Sequence, residues 1–328
     1  MKINDRSLSN NRNYVKLSSD FKLLAEAFLE NIPSSLCVNS TKSYFEHGCK
    51  FLLHLEKCGV ATSFENITHE DVVSFFIDIE GNKIRNADYK KHVSRFLEII
   101  SLKVPSIKRV KNLLPAIRRI RKLRNRFTDS ECKAISNALL AEPAILSVFD
   151  KAVGCLLYYM GLRKVDIALL KPKNIVWERD EIIIEQKKTG VKMKCYLTAI
   201  VGNALIDLLL ELKQSLGRPV AGDECIFAAG KNLTQQQLCN KIKTASEHIY
   251  DAAKIRLNKN DERGCHLFRH AFVNRAKDAG VPQPVISHMV GHQSPASLQP
   301  YLYSNINQLK SCALSIEKYP VPDEVYHG

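Results

Sequence analysis

HLFRHAFVNRAKDAGVPQPVISHMVGHQSPASLQPY, residues 266–301, holds the densest chemistry in the chain. Four of the ten histidines fall inside it: His266, His270, His288 and His292. A helix places residues three and four apart on one face, so His266, Arg269 and His270 can address one object. An arginine among imidazoles selects an anion, a phosphate above all, because its guanidinium is permanently charged and offers a planar fork of donors. Gly291 and His292 follow a second short apolar segment, and Tyr301 stands nine residues beyond His292.

Working upstream, the polar segment LNKNDERGC (257–265) leads into this stretch, and helices are predicted at about residues 201–216 and 234–254. Residues 181–198, EIIIEQKKTGVKMKCYLT, read as a hairpin: a β-branched strand, a turn near Thr189-Gly190, and a return strand through Tyr196. Lys187, Lys188, Lys192 and Lys194 crowd its tip. Before it, GLRKVDIALL places Arg163 directly after Gly161-Leu162 and Asp166 one turn later; Gly161 suits the C-terminus of an apolar helix over about 144–160. TDSE at 128–131 is a capping box opening a helix through Leu140.

The first third differs. After a polar tail of about 17 residues, four amphipathic helical patterns follow: Phe21, Leu24 and Phe28; Tyr44, Phe51, Leu52 and Leu55; Val72, Phe75, Phe76 and Ile79 behind a Thr68–Asp71 cap; and Tyr89, Val93, Phe96, Leu97 and Ile100. Between the two parts runs KRVKNLLPAIRRIRKLRNR (108–126), with nine basic residues and no acidic one. Residues 1–126 hold 23 Lys and Arg against 13 Asp and Glu, whereas the remainder holds 25 against 21, so the net charge of +14 is concentrated early. An excess of this size points to a nucleic-acid partner. Arg118, Arg119, Arg121, Lys122 and Arg124 are the candidate contacts to a phosphate backbone.

Ten cysteines carry no CxxC pair, so neither a disulfide framework nor a zinc site is expected, and reduced thiols in a cytosolic protein are. The apolar run 152–162 is too short to span a bilayer.

HLFRH, then VGH, then a tyrosine nine residues later, with GLRKVD and KKTG upstream, resembles the tyrosine recombinase (phage integrase) family from about residue 18 to 317, strongly from Phe127 onward. The departures are Val290 where a leucine is usual and Asp166 where glutamate is commoner. The resemblance implies a mainly α fold with a small β-hairpin or sheet: a helical, SAM-like core-binding domain (18–107), a basic linker (108–126), and a mixed α/β catalytic domain (127–317), with tails at 1–17 and 318–328. It implies catalysis by Arg163, Lys188, His266, Arg269, His292 and the nucleophile Tyr301, with Asp166 and His270 supporting. Lys187 rivals Lys188, and Tyr303 rivals Tyr301.

The implied chemistry is attack of the tyrosine on a phosphodiester with formation of a 3′-phosphotyrosine, and it needs no metal or cofactor. The implied partners are double-stranded DNA with an inverted-repeat site and, on synapsed DNA, three further copies, the free protein being monomer or dimer. A final helix through Ile306, Leu309, Ala313 and Ile316 would dock in cis or in trans. Two other readings stand beside this one: a type IB topoisomerase, and a catalytically inert DNA-binding relative.

Overall fold

The structure, a computed structural model, describes residues 11–118, 126–187, 190–291 and 298. The chain divides into two compact units, Met1–Lys122 and Leu123–Gly328.

In the first unit the expected amphipathic patterns become α1 (Arg12–Val15), α2 (Ser19–Glu30), α3 (Val38–Lys57), α4 (His69–Val73), α5 (Ala87–Ile100) and α6 (Ile107–Asn112). The stripe Phe45, Cys49, Leu52 and Leu55 of α3 and the stripe Val93, Phe96, Leu97 and Ile100 of α5 are buried in one aromatic-rich core. Such burial is the main favourable term available to a unit of this size.

Three local outcomes differ from the sequence expectation. Part of the polar tail is ordered: the Asn11 side chain caps α1, and the Tyr14 hydroxyl donates to Glu26 at 2.6 Å. The Thr68–Asp71 capping box forms, but the helix behind it stops at Val73. Phe76 and Ile77 both return their N–H groups to the Val73 carbonyl, and the Asn82 N–H bonds the Asp78 carboxylate at 2.7 Å. That local side-chain bonding competes with a continuing helix, and it leaves Ile79 fully exposed while Phe75 and Phe76 stay buried. Finally, Ile107 and Val110 are sealed into the first core, so the start of the basic stretch is helix α6 and not free connector.

The second unit contains α7 (Asp129–Leu139), α8 (Val148–Met160), α9 (Lys164–Ala168), β1 (Ile175–Val176), β2 (Glu181–Glu185), β3 (Lys192–Tyr196), α10 (Ala199–Leu216), α11 (Gln235–Ala252), α12 (Cys265–Asp278) and α13 (Gln283–Met289). The predicted capping box forms between Thr128 and Glu131. Helix α8 is apolar on nearly every side, which suits a central helix, and it packs against α7, α9, α10, α11 and α12. It begins at Val148, capped by Ser147, later than the apolar run alone suggests. The expected hairpin is present with one further short strand: the antiparallel order is β1-β2-β3, with Ile182 opposite both Ile175 and Cys195, and Ile184 opposite Met193. The whole is mainly helical with a small antiparallel sheet, as the resemblance implied. The helix expected after Tyr301 lies outside the described residues.

Candidate active site

The site starts where α8 ends. Gly161 caps that helix in the left-handed region, at φ +61°, a conformation glycine adopts without steric cost. Two residues on, Arg163 is the N-cap of α9, and Asp166 lies in the first turn of that helix. Asp166 is buried, and its Oδ1 accepts the backbone N–H of Lys187 at 3.1 Å, which ties the hairpin tip to α9. Burial raises the Asp166 pKa; the Lys187 N–H and the guanidinium groups of Arg163 and Arg269 act in the opposite direction.

Helix α12 begins after Gly264 and turns Leu267, Phe268 and Ala271 into the core. Arg269 comes with them and is only 1% exposed. A guanidinium so far from water requires acceptors. Its Nη1 donates to the Gly161 carbonyl at 2.8 Å, and its Nη2 donates to the Val290 carbonyl at the end of α13. The arginine of HLFRH is thereby bonded to the glycine of the GLR turn, 108 residues earlier in the chain.

The Val290 carbonyl takes a second donor, the side-chain amide of Gln186, at 3.0 Å. Gln186 follows β2 on the same inward face as Ile182 and Ile184 and is completely buried. Its Oε1 accepts from Arg163 Nη1, and its Nε2 also contacts Met193 Sδ at 3.2 Å. Gly291, at φ +61°, packs so tightly here that a Cβ would fall 2.4 Å from Gln186 Nε2. A chain of hydrogen bonds thus runs from Arg163 through Gln186 and the Val290 carbonyl to Arg269.

Of the residues singled out from the sequence, Arg163, Asp166 and Arg269 are brought together. His270 is buried beside Arg269 on α12, whereas His266 is exposed one turn before it. The side chain of Lys187 is exposed. Lys188, His292, Tyr301 and Tyr303 lie outside the described residues. Leu298, three residues before Tyr301, is buried in a small cluster with Val273, Ile286 and Val290. Arg118 is exposed, and Arg119, Arg121, Lys122 and Arg124 are outside the described residues. Among the described residues no group of His, Cys, Asp and Glu could hold a metal ion, and no helix is long and apolar enough to cross a membrane.

The sequence reading missed Gln186. Strand alternation held the signal, because a polar residue continues the inward series of Ile182 and Ile184 just ahead of the lysine-rich tip.

The description "Phage integrase family" is that of the family model matching residues 125–308. The chain is 29% identical over 167 residues to the integrase/recombinase y4gC of Sinorhizobium fredii, covering 51% of this chain and 82% of that protein. It is 23% identical over 291 residues to the tyrosine recombinase XerC of Roseiflexus castenholzii, covering 85% and 88% of the two chains. The crystal structure of the XerH site-specific recombinase bound to its difH substrate superposes with a TM-score of 0.60 at 18% identity, over 95% of this chain and 94% of that one; at that identity the likeness is one of fold. These matches define an enzyme of the DNA breaking and rejoining class. The chain belongs to the phage integrase family, the tyrosine recombinases.

Proposed function

We propose that this protein is a site-specific recombinase that cleaves and rejoins double-stranded DNA through a 3′-phosphotyrosine intermediate. The observation that carries the reading is the linkage of Arg163 and Arg269, from two distant parts of the chain, through Gln186 and the carbonyl that immediately precedes Gly291-His292. The Tyr301 oxygen attacks the scissile phosphorus, the bond to the 5′ oxygen breaks, and the leaving oxygen takes a proton from Lys188. His266 receives the phenolic proton, and His270 supports the helix turn that carries Arg269. Negative charge that develops on the non-bridging oxygens meets the two guanidinium groups and His292, and such preorganised stabilisation is commonly the largest catalytic term. Reversal of the same step on a partner strand rejoins the DNA, and the phosphotyrosine conserves the bond energy.

The first 107 residues hold 14 basic against 13 acidic residues, so the early positive excess resides in 108–126. Arg118, Arg119, Arg121, Lys122 and Arg124 in that stretch bind the DNA backbone, which makes affinity steeply salt-dependent. Strand exchange in pairs calls for inverted-repeat sites and a tetramer on synapsed DNA.

A nicked suicide substrate tests the proposal. Wild-type protein should form a covalent adduct on its cognate site, Tyr301→Phe should form none, and Tyr303→Phe should retain it. Wild-type protein that forms no adduct would support an inert DNA-binding relative, and efficient relaxation of plasmids lacking any site would support a type IB topoisomerase.

A further inference from the structure

We infer that Gln186 is a positioning residue of the strand-cleavage reaction, setting the orientation of Arg163 relative to Arg269 and coupling both to the hairpin tip and the segment entering His292. The inference rests on the recombinase reading of the site. Gln186 is bonded to several of its parts. Gln186 Oε1 accepts from Arg163 Nη1, and Nε2 donates to the Val290 carbonyl that also receives Arg269. The Gln186 backbone closes the hairpin: its N–H donates to the Val191 carbonyl at 2.9 Å, and its carbonyl accepts from the Gly190 N–H at 2.8 Å. The next N–H in the chain, that of Lys187, is held by Asp166.

Residue type matters here. A carboxamide presents one acceptor and two donors on a single rigid plane. Here the acceptor faces a cation and a donor faces a carbonyl, so rotation of the amide would break both contacts. An apolar residue of the same size would leave the Val290 carbonyl with one donor fewer and Arg163 without this acceptor. A carboxylate would hold Arg163 but oppose the Val290 carbonyl with an oxygen, and its charge would compete with a phosphate for the guanidinium. Gly291 lies directly against the amide, since a Cβ there would overlap it. Arg163 is half-buried, whereas Gln186 is completely buried. The amide thus serves as the inner stop against which the more accessible guanidinium is aligned.

The test uses full-length protein in single-turnover cleavage of two suicide substrates, one with an ordinary scissile phosphate and one with an uncharged methylphosphonate at that position. Misaligning Arg163 removes charge stabilisation that only the anionic substrate needs. Gln186→Leu should therefore slow phosphate cleavage roughly 10- to 100-fold, the scale of an ångström-sized misplacement, while methylphosphonate cleavage falls far less and DNA affinity is retained. Its effect should also be strongly non-additive with that of Arg163→Lys. Equal losses on both substrates, or additivity with Arg163→Lys, would overturn the inference. Should Gln186→Leu not fold, the isosteric Gln186→Glu decides: selective loss on the phosphate substrate supports the role, and a wild-type rate overturns it. Absence of any adduct with wild-type protein would remove the recombinase reading itself, and this inference with it.

Discussion

The two units bury different kinds of atom. Among the described residues, the first unit buries one polar side chain, Thr41, beneath a core of phenylalanines and aliphatics. The second buries Asp166, Gln186, Ser246, Arg269, His270, Asn274 and Ser287, most of them on or beside the segments that meet at Val290. Burying a charge costs free energy unless partners surround it, so an interior of this kind is retained for chemistry or specificity more readily than for stability. The polar edge of the first unit is instead made of half-buried imidazoles and phenols: His47 stacks on Tyr89 with ring centroids 3.8 Å apart, and its Nδ1 lies 2.8 Å from His92 Nδ1. One unit packs apolar surface and the other holds guanidinium in a fixed place.

The sharpest test of that contrast is Arg269→Met, which preserves much of the volume and deletes the charge. Adduct formation should fall about 10²- to 10³-fold. The Gly161 carbonyl loses its donor, at about 1–3 kcal/mol for a buried group left unsatisfied, while the Val290 carbonyl keeps the Gln186 amide. Calorimetry should register that loss, and an unchanged melting temperature would break the comparison.

A smaller effect is expected at Gly291. Gly291→Ala places a Cβ at φ +61° and 2.4 Å from Gln186 Nε2, and the left-handed conformation alone costs roughly 1–2 kcal/mol. Denaturant titration should show the destabilisation and the suicide substrate a slower adduct, with no change in the protein's response to acid. Wild-type stability and rate would mean that the contact is not tight.

The smallest effect concerns acid and the first unit. Burial lowers the pKa values of His47 and His92 from 6.5, and the neighbouring His92 ring lowers that of His47 further. Because the folded values lie below the unfolded one, the unfolded chain takes up protons first. The stabilisation is therefore complete above 6.5 and is lost as the pH falls through the lowered folded values. The first unit should melt a few degrees lower at pH 5 than at pH 7.5, and His92→Phe should flatten that dependence. Parallel slopes for wild-type protein and variant would count against the imidazole pair.

Much of this was legible in residue order. The Thr128–Glu131 and Thr68–Asp71 capping boxes, the Gly161 cap, the β2–β3 hairpin and the buried stripes of α3 and α5 are local patterns, and the structure contains each of them. The reading failed where a competing local bond or a distant neighbour decided. Ile79 continues an apolar periodicity, yet the Asp78–Asn82 turn takes it out of the helix. Gln186 looked like one more polar residue ahead of a lysine-rich tip.

The identities and spacings of Arg163, Asp166 and Arg269, the helical faces and the placement of positive charge follow from the sequence alone, because short-range sterics and hydrophobic period act within a few residues. That the Gly161 and Val290 carbonyls would close on Arg269, with Gln186 wedged between Arg163 and Gly291, was decided only by tertiary structure. Those groups are separated by up to 130 residues of chain, and only packing around α8 brings their donors and acceptors within hydrogen-bonding distance.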